Sequence, residues 1–376
     1  MDKNHINILH IASGDLWAGA EVQLFTLVTA LNAHQMANIN VVLLNHGTLE
    51  QKLLASNIHV IVLDESKLNS FHILQQLIKT IAKIQPDIIH THRIKENILG
   101  SIAGLLNGNI ASVRTAHGAP EHKPAWFHTG KRLILFVDWL CARFLQKRTV
   151  AVSQDLADIL QKSLPKHKIS VIENGIDIDS FLQQEQPTSE ARKQDTAHRI
   201  AIAGRLSPVK RIDIFIRTAQ HIKQNHPELN LSFHIYGDGP LREELVQLSK
   251  QLQTTDIVHF EGHCTNIKAA LDKTDILLMT SDHEGLPMIL LEAMATRVPI
   301  VAHAVGGIPN LLDHGKCGTL VKGDSPEAYA DAIQKVIQQP EEKIQQAFTR
   351  LTKLYSAEQN ATNYLNIYQD LVFKAK

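Results

Sequence analysis

The chain has 376 residues, 44% of them hydrophobic and 20% charged, and its 38 lysines and arginines balance 38 aspartates and glutamates. Such a composition is typical of a globular protein, and such a length exceeds one ordinary core and predicts two domains. Because the net charge is zero, the overall balance gives no support to a nucleic-acid partner.

Short apolar segments alternate with helical periodicities along the first half of the chain. Between the first two segments, Leu24, Leu27, Val28 and Leu31 recur at helical spacing. This alternation predicts βα units and a mainly parallel sheet. The predicted strands are Ile6–Ile11, Ile39–Leu44, Ile58–Leu63, Asp87–Thr91, Ala111–Thr115 and Thr149–Val152.

A polar stretch, Phe181–His198, interrupts this pattern and is predicted to be a linker between domains. We therefore predict two Rossmann-like doubly wound α/β domains, residues 1–180 and 181–355, facing each other across a ligand cleft at the carboxyl ends of their strands. Predicted strands of the second domain are Arg199–Gly204, Leu231–Tyr236, Ile257–Phe260, Asp275–Thr280 and Pro299–Ala302.

Two glutamates eight positions apart, Glu284 and Glu292, flank a predicted turn from strand to helix. Gly285 ends the strand pattern, and Pro287 suits the first position of a helix. The first amides of such a helix lack partners and form a ready phosphate site. An anion site between two carboxylates suggests a ligand that is part phosphate and part polyhydroxyl, such as a nucleotide sugar.

Two cations, Arg205 and Lys210, follow the first strand of the second domain. Cations at this sheet edge can neutralise a leaving diphosphate without a metal ion, although the pattern alone also fits a solvated basic loop. The later turn Tyr236–Arg242 imitates a dinucleotide fingerprint. Arg242 stands where the third glycine belongs, which argues against NAD.

In the first domain, Gly19 follows the first strand and would let backbone amides approach a phosphate or a sugar. His117 ends a later strand at the same edge, although a lone histidine is more often structural. His90 and His92 suggest a metal site only weakly, because no His-Glu-x-x-His pattern accompanies them.

Taken in order, these motifs resemble those of the retaining glycosyltransferases with the GT-B fold, the group 1 family (family 4). The resemblance covers nearly the whole chain. It implies that the final helix, within 356–376, crosses back to the N-terminal domain. It also implies a site in which Glu284 contacts the donor sugar and Glu292 holds the ribose hydroxyls. The residues implied at the diphosphate are Gly285, Leu286, Pro287, Arg205 and Lys210. On the other side, His117 and Gly19 are implied to lie beside the sugar and phosphate.

The sequence departs from the family pattern at three positions. Ala18 replaces the first glycine of the loop that contains Gly19. Asn310 stands where a glutamate is usual, and Arg297 stands where a glycine commonly ends a helix. These departures concern the local shape of loops rather than the class of enzyme.

The resemblance implies hexosyl transfer from a nucleotide sugar to an acceptor hydroxyl, with retention at the anomeric carbon and no metal or other cofactor. UDP is the expected nucleotide, because many family members use it. The expected acceptor is a glycan or lipid-linked glycan of cell-envelope polysaccharide or lipopolysaccharide synthesis. Three alternatives remain: a non-catalytic nucleotide-sugar-binding subunit, a sugar-nucleotide epimerase, and a phosphorylase.

Cellular location is inferred from cysteines and hydropathy. Cys141, Cys264 and Cys317 are far apart and odd in number, which predicts a reducing compartment. Neither a signal-peptide pattern nor a stretch of ~18 apolar residues is evident, so a cytoplasmic protein is expected.

Residues 122–148 combine many cations with an apolar stretch and a single acid, Asp138. Such a segment could lie on an anionic membrane at the inner face of the plasma membrane, or could be a core helix with a solvated basic face. Its cations and apolar residues are Lys123, Lys131, Arg132, Arg143, Lys147 and Arg148, with Leu133, Phe136, Trp139, Leu140 and Phe144.

Overall fold

A computed structural model of the protein describes residues 5–15, 17–33, 35, 37–118, 129–183, 197–338 and 341–373. The chain divides into two units, one formed by Met1–Gly175 with Ala357–Lys376 and the other by Ile176–Ser356. The sequence-based boundaries were 180/181 and 355/356. Lys123 and most of the expected linker lie outside the described residues. Phe181, the first residue of that expected linker, is instead buried in a short helix.

In the first unit, seven parallel strands form one sheet in the order β3-β2-β1-β4-β5-β6-β7. Hydrophobic side chains fill both faces of its central strands, as expected where helices cover both sides of a parallel sheet. The strands are β1 Ile6–Ala12, β2 Ala37–Leu43, β3 His59–Val62, β4 Ile88–Thr91, β5 Ala111–Ala116, β6 Arg148–Ala151 and β7 Ile169–Val171.

The helices between these strands bury the apolar stripes that their periodicity predicts. Leu24, Leu27, Val28 and Leu31 are buried on the first of them. The helices are α1 Gly19–Ala33, α2 Thr48–Ala55, α3 Ser70–Ile84, α4 Ile94–Leu106, α5 Thr129–Leu140, which continues into a π-helical turn at Cys141–Leu145, and α6 Gln154–Gln161.

The second unit contains a six-stranded parallel sheet in the order β10-β9-β8-β11-β12-β13. Its strands are β8 His198–Ala203, β9 Leu231–Tyr236, β10 Val258–Gly262, β11 Ile276–Met279, β12 Ile300–His303 and β13 Thr319–Val321. Its helices are α7 Ile178–Leu182, α8 Ile212–Asn225, α9 Arg242–Gln251, α10 Ile267–Leu271, α11 Met288–Ala295, α12 Ile308–Leu311, α13 Pro326–Gln338 and α14 Glu341–Leu354.

The last helix, α15 (Ala357–Phe373), returns to the first unit and packs against α1. Its Tyr364 and Tyr368 are fully buried in the core of that unit. Asn360 also donates a hydrogen bond of 2.6 Å from Nδ2 to the carbonyl of Glu173. The predicted return of the C-terminal helix is therefore present.

Each sheet reverses its strand order once, between β1 and β4 in the first unit and between β8 and β11 in the second. Loops at such a reversal diverge to opposite faces and leave a crevice at the carboxyl ends of the strands. The loops that contain Gly19, Arg205 and Glu284 all follow one of these four strands. This arrangement confirms the predicted pair of doubly wound α/β domains.

Two strands, β7 and β13, were not predicted from the sequence; each has three residues and lies at the edge of its sheet. An edge strand is buried less than a central strand, and three residues are too few to show a period. Among the described helices, none has the length and apolar character needed to cross a bilayer.

Candidate functional site

An ion pair joins the two loops at the strand reversal of the second unit. The Nζ of Lys210 lies 2.6 Å from Oε1 of Glu284, and both side chains are largely buried, with 23% and 11% of their surfaces exposed. Lys210 ends a short 3₁₀ turn after β8, and Glu284 lies in the loop between β11 and α11. The fold thus brings together two predicted site residues that are 74 positions apart.

The backbone of these loops is fixed by direct hydrogen bonds. Thr280, just after β11, donates from Oγ1 to the carbonyls of Lys210 and Arg211 at 3.0 and 2.9 Å. The amide of Asp282 donates to the carbonyl of Val209 at 2.8 Å. The position of the Lys210 ammonium is therefore determined by the strand that leads to Glu284.

A glycine pair after β12 supports the backbone of Glu284. Gly306 has a φ of +55°, and a Cβ at this position would lie 1.8 Å from the carbonyl oxygen of Glu284. The amide of Gly307 donates to the carbonyls of Glu284 and Gly285 at 3.3 and 3.1 Å. Only a residue without a side chain fits at Gly306, which explains the glycine at this position after β12.

The Gly-Asp-Gly-Pro turn after β9 supports the other loop in the same way. A Cβ at Gly237 would lie 1.9 Å from the carbonyl oxygen of Gly204. The amide of Leu206 donates to the carbonyl of Asp238 at 2.9 Å, and the amide of Leu241 donates to the carbonyl of Leu206. This turn therefore holds the segment that contains Arg205.

Arg205 itself is exposed, and its side chain forms no ion pair with any residue that the structure describes. Its guanidinium is therefore available to an external anion, whereas the ammonium of Lys210 already has an internal partner. Arg205 and Lys210, which look alike in the sequence, thus differ in the structure: only Lys210 has a carboxylate partner among the described residues.

Glu292 lies inside α11 and is 7% exposed. Burial raises the pKa of its carboxyl to about 7, because the charged form loses hydration there. Pro287 is extended and precedes the helix, which begins at Met288. The prediction that Pro287 occupies the first helical position was wrong by one residue. Met288 occupies that position and, unlike proline, has a backbone N–H.

Arg297 adopts the left-handed conformation that the family usually assigns to glycine. Its φ is +59°, and its guanidinium carbon lies 4.4 Å from the centroid of the Phe348 ring. A cation–π contact offsets part of the cost of this backbone conformation for a residue with a side chain. The departure from glycine therefore leaves the helix end intact.

In the first unit, Gly19 is exposed and begins α1, and Glu21 in the first turn is 3% exposed. Arg93, which follows β4, pairs with Glu21 and lies 3.5 Å from Asp15. Burial raises the pKa of Glu21, and the charge of Arg93 opposes that rise. Arg93 was not predicted as a site residue, although it follows directly on His90-Thr91-His92.

His117 follows β5 and contacts His92 across the carboxyl edge of the sheet. The distance from its Nε2 to Nδ1 of His92 is 3.4 Å. Burial, and then the charges of Arg93 and Arg114, lower the pKa of His117 to about 4. The imidazole is therefore neutral at physiological pH and offers one N–H and one lone pair.

Two groups of possible metal ligands lie within the described part of the chain. Ring nitrogens of His10, His90 and His92 lie within 4.8 Å of one another, but five of these six nitrogens lie in hydrogen bonds, and two of those bonds are to Tyr368 and Thr115. The second group is Asp282, His303 and Asp324. Arg211 donates to both of its carboxylates, and His303 contacts the carbonyl of Ser281.

Comparison with known proteins agrees with this architecture. Residues 17–180 match the model of the family described as Glycosyltransferase Family 4, and residues 183–351 match that of Glycosyl transferases group 1. The solved structure of HepE from Anabaena in complex with UDP-glucose has a TM-score of 0.82 at 23% identity, covering 97% of this chain and all of that one.

Two curated relatives have similar sequences. The UDP-Gal:alpha-D-GlcNAc-diphosphoundecaprenol alpha-1,3-galactosyltransferase of Escherichia coli is 29% identical over 70% of this chain and 69% of its own length. The D-inositol 3-phosphate glycosyltransferase of Corynebacterium urealyticum is 26% identical over 76% of this chain and 72% of its own. With both domains matched and the GT-B fold present, the chain belongs to the group 1, family 4 glycosyltransferases.

Proposed function

We propose that the protein transfers a hexose from a UDP-sugar to a hydroxyl of a glycan or lipid-linked glycan, with retention at the anomeric carbon. The observation that carries this proposal is the buried pair of Lys210 and Glu284 beside the exposed Arg205. It combines cations for a diphosphate with a carboxylate for sugar hydroxyls. UDP is supported by the name of the galactosyltransferase relative and by the UDP-glucose complex of HepE.

In this proposal the diphosphate lies between the two cations and the start of α11. The ammonium of Lys210 has three N–H groups, so it can keep Glu284 and still donate to a phosphate oxygen. Arg205 supplies a bidentate partner. Amides of Gly285 and Leu286 complete the phosphate site, while Pro287, which has no N–H, sets the direction of the chain into the helix.

Glu292 accepts hydrogen bonds from the ribose hydroxyls, and Glu284 contacts the sugar. His117 and Gly19 are assigned to the sugar and phosphate side of the first domain, as the family pattern implies. In the transfer itself the bond from C1 to the phosphate oxygen breaks and the acceptor oxygen bonds to C1 on the same face. The acceptor proton passes to an oxygen of the departing UDP, whose charge Arg205 and Lys210 stabilise. We propose no metal ion for this step.

The test is a thermal-shift screen with UDP, GDP, ADP and their sugar conjugates, each with and without EDTA. A ligand at a hundredfold excess over its Kd stabilises the folded state by about 2.7 kcal/mol, which such a screen detects. We expect UDP and one UDP-sugar to raise the melting temperature, with or without EDTA. No shift from any nucleotide would contradict the proposed donor site.

The configuration of the product tests retention. With the donor identified by the screen, proton NMR of the product should show the same anomeric configuration as the donor. An inverted product would contradict the same-face transfer. Consumption of the donor without any acceptor, forming an isomeric nucleotide sugar, would point to an epimerase instead.

We further propose that α5 contacts an anionic membrane, which would carry a lipid-linked acceptor. Its apolar residues Leu133, Ile134 and Phe136 are 63%, 52% and 53% exposed, beside the exposed Lys131 and Arg132. Such exposure argues against the alternative of a core helix. An apolar patch next to cations is typical of segments that lie in a membrane interface.

Sedimentation with vesicles tests this contact. We expect binding to phosphatidylglycerol-containing vesicles that weakens with salt, and weaker binding of a Leu133→Ser/Phe136→Ser variant. The exposed Phe71 on α3, changed to serine, is the matched control. Equal sedimentation of the variant and the wild type, or none by either at low salt, would contradict membrane contact.

A further inference from the structure

A row of three histidines runs from the core of the first unit to its carboxyl edge. Nδ1 of His10 lies 3.2 Å from Nε2 of His92, and Nδ1 of His92 lies 3.4 Å from Nε2 of His117. The rings are nearly parallel, with interplanar angles of 22° and 25°. His10 and His92 are buried, whereas His117 is partly exposed. The row is therefore a continuous hydrogen-bonded path that ends at a proposed site residue.

Each ring in this row holds a single proton at physiological pH. Burial lowers the pKa of His10 to about 3, and burial with neighbouring charges lowers that of His92 well below its ordinary value. A neutral imidazole has one donor and one acceptor nitrogen. The two hydrogen bonds therefore run in the same direction: all three protons lie on Nδ1, or all three lie on Nε2.

The buried end of the row distinguishes these two directions. Nε2 of His10 is buried without a hydrogen-bond partner among the described residues. Protons on Nε2 throughout would leave an N–H donor unsatisfied in the core, and such orphaned donors are rare and costly. Protons on Nδ1 throughout place the terminal N–H on His117 instead, on the side of its ring that faces away from His92.

We propose that His10 and His92 are positioning residues that fix His117 as its Nδ1–H tautomer, so that Nδ1, which has no hydrogen-bond partner among the described residues, presents a donor to the substrate. This inference rests on the proposed function, because His117 is assigned there to the sugar side. A neutral donor suits a sugar hydroxyl or ring oxygen, and a fixed tautomer needs no rearrangement when the substrate binds.

Long-range ¹H–¹⁵N correlation NMR of the full chain, labelled with ¹⁵N-histidine, reads the tautomer directly. A His117→Gln variant assigns the His117 signals by their loss. We expect Nδ1 of His117 to be protonated and Nε2 to be unprotonated in the wild type. A proton on Nε2 would overturn the proposal. The tautomer is read on the wild-type chain without a nucleotide, and the variant serves only to assign the signals.

Two substitutions of His92 then test the positioning role. His92→Leu removes the donor to His117 and is expected to shift its tautomer toward Nε2–H and to lower kcat by about tenfold, the effect of one lost neutral hydrogen bond. His92→Asn, which retains an amide near the Nδ1 position, should restore both. An unchanged tautomer or an unchanged kcat in His92→Leu would overturn the role.

The matched control is His90→Gln. His90 is as buried as His92 and contacts the rings of the row, but its nitrogens bond to Tyr368 and Thr115 instead. We expect it to lower the melting temperature and leave the His117 tautomer unchanged. A shift of the His117 proton to Nε2 in His90→Gln would overturn the proposed hydrogen-bonded path. Because the spectra need no ligand, a failed nucleotide screen would count against the proposed function alone.

Discussion

The ammonium of Lys210 and the carboxylate of Glu284 form a 2.6 Å ion pair between two loops. Hydrogen bonds from the Thr280 hydroxyl and the Asp282 amide hold the backbones of these loops together. This pair places a positive charge next to the carboxylate that we propose contacts the donor sugar, before any ligand arrives. A donor therefore meets a charge arrangement that needs little reorganisation.

Removing the cation tests that arrangement. In Lys210→Ala the carboxylate of Glu284 loses its partner and repels the diphosphate, so we expect transfer to fall by about 10²- to 10³-fold, with weaker binding of UDP. Kinetics and calorimetric titration with UDP measure these effects. Lys316→Ala is the control, because it removes an exposed ion pair with Asp313 in the same unit. Wild-type kinetics in Lys210→Ala would refute a role for this cation.

Substitution of Gly306 tests the support of Glu284. In Gly306→Ala the new Cβ would meet the Glu284 carbonyl at 1.8 Å, so the loop must move. We expect a loss of melting temperature together with at least tenfold weaker donor binding. Gly323→Ala is the control: its φ is +81°, and nothing lies within 4 Å of its Cβ position. Gly323→Ala therefore tests only the strain of a side chain at positive φ, without a steric contact. An equal effect of both variants would show that the contact with Glu284 is irrelevant.

Donor binding is expected to weaken as the pH falls through 7. The pKa of Glu292 in the folded protein is about 7, and its protonated form accepts fewer hydrogen bonds from ribose hydroxyls. The Kd of UDP should therefore rise between pH 8 and pH 6 in the wild type. In Glu292→Gln it should be higher and much less dependent on pH. A parallel pH dependence in both proteins would exclude Glu292 as the cause.

The free energy of unfolding of the ligand-free protein should instead decrease as the pH rises, as far as it depends on Glu292. Because the folded pKa of Glu292 is raised above the ordinary 4.5, the folded state binds more protons between these values. The contribution of Glu292 is therefore fully present below about pH 4.5 and is lost as the pH rises through 7. Glu96, whose pKa burial also raises to about 7, acts in the same direction. Melting curves of the wild type and Glu292→Gln at pH 5.5 and 8 should differ more at pH 8; an equal difference would contradict this assignment.

The single acid of the basic segment is a structural anchor. Asp138 accepts hydrogen bonds from Arg114 at 2.9 Å and from Asn97 at 2.5 Å, and it is the buried residue of α5. Removing one partner of a buried pair leaves an uncompensated charge, so Asp138→Ala should lower the free energy of unfolding by about 3 kcal/mol. Asp256→Ala, which removes the exposed pair with Lys223, should change it little. Chemical denaturation measures both, and equal losses would contradict the anchoring role.

The sequence alone determined the fold class, because buried parallel strands and amphipathic helices leave periods of different length that are readable in short windows. Every central strand of both sheets was predicted near its observed position, whereas the edge strands β7 and β13 were not. Arg205, Lys210, Glu284 and His117 could be named because each lies in a loop or turn that follows a strand, where ligands of such folds bind. Glu292 could be named from its spacing of eight positions from Glu284.

Only the tertiary structure decided what these residues contact. The pairing of Lys210 with Glu284, the support of Glu284 by Gly306, and the burial that raises the pKa of Glu292 all join segments distant in sequence. The row of His10, His92 and His117 spans three strands that are neighbours only in the folded sheet. Local patterns specify elements, because periodicity acts over one helix or strand. Charge state and hydrogen bonding depend on burial and distance, which the packing of remote segments sets.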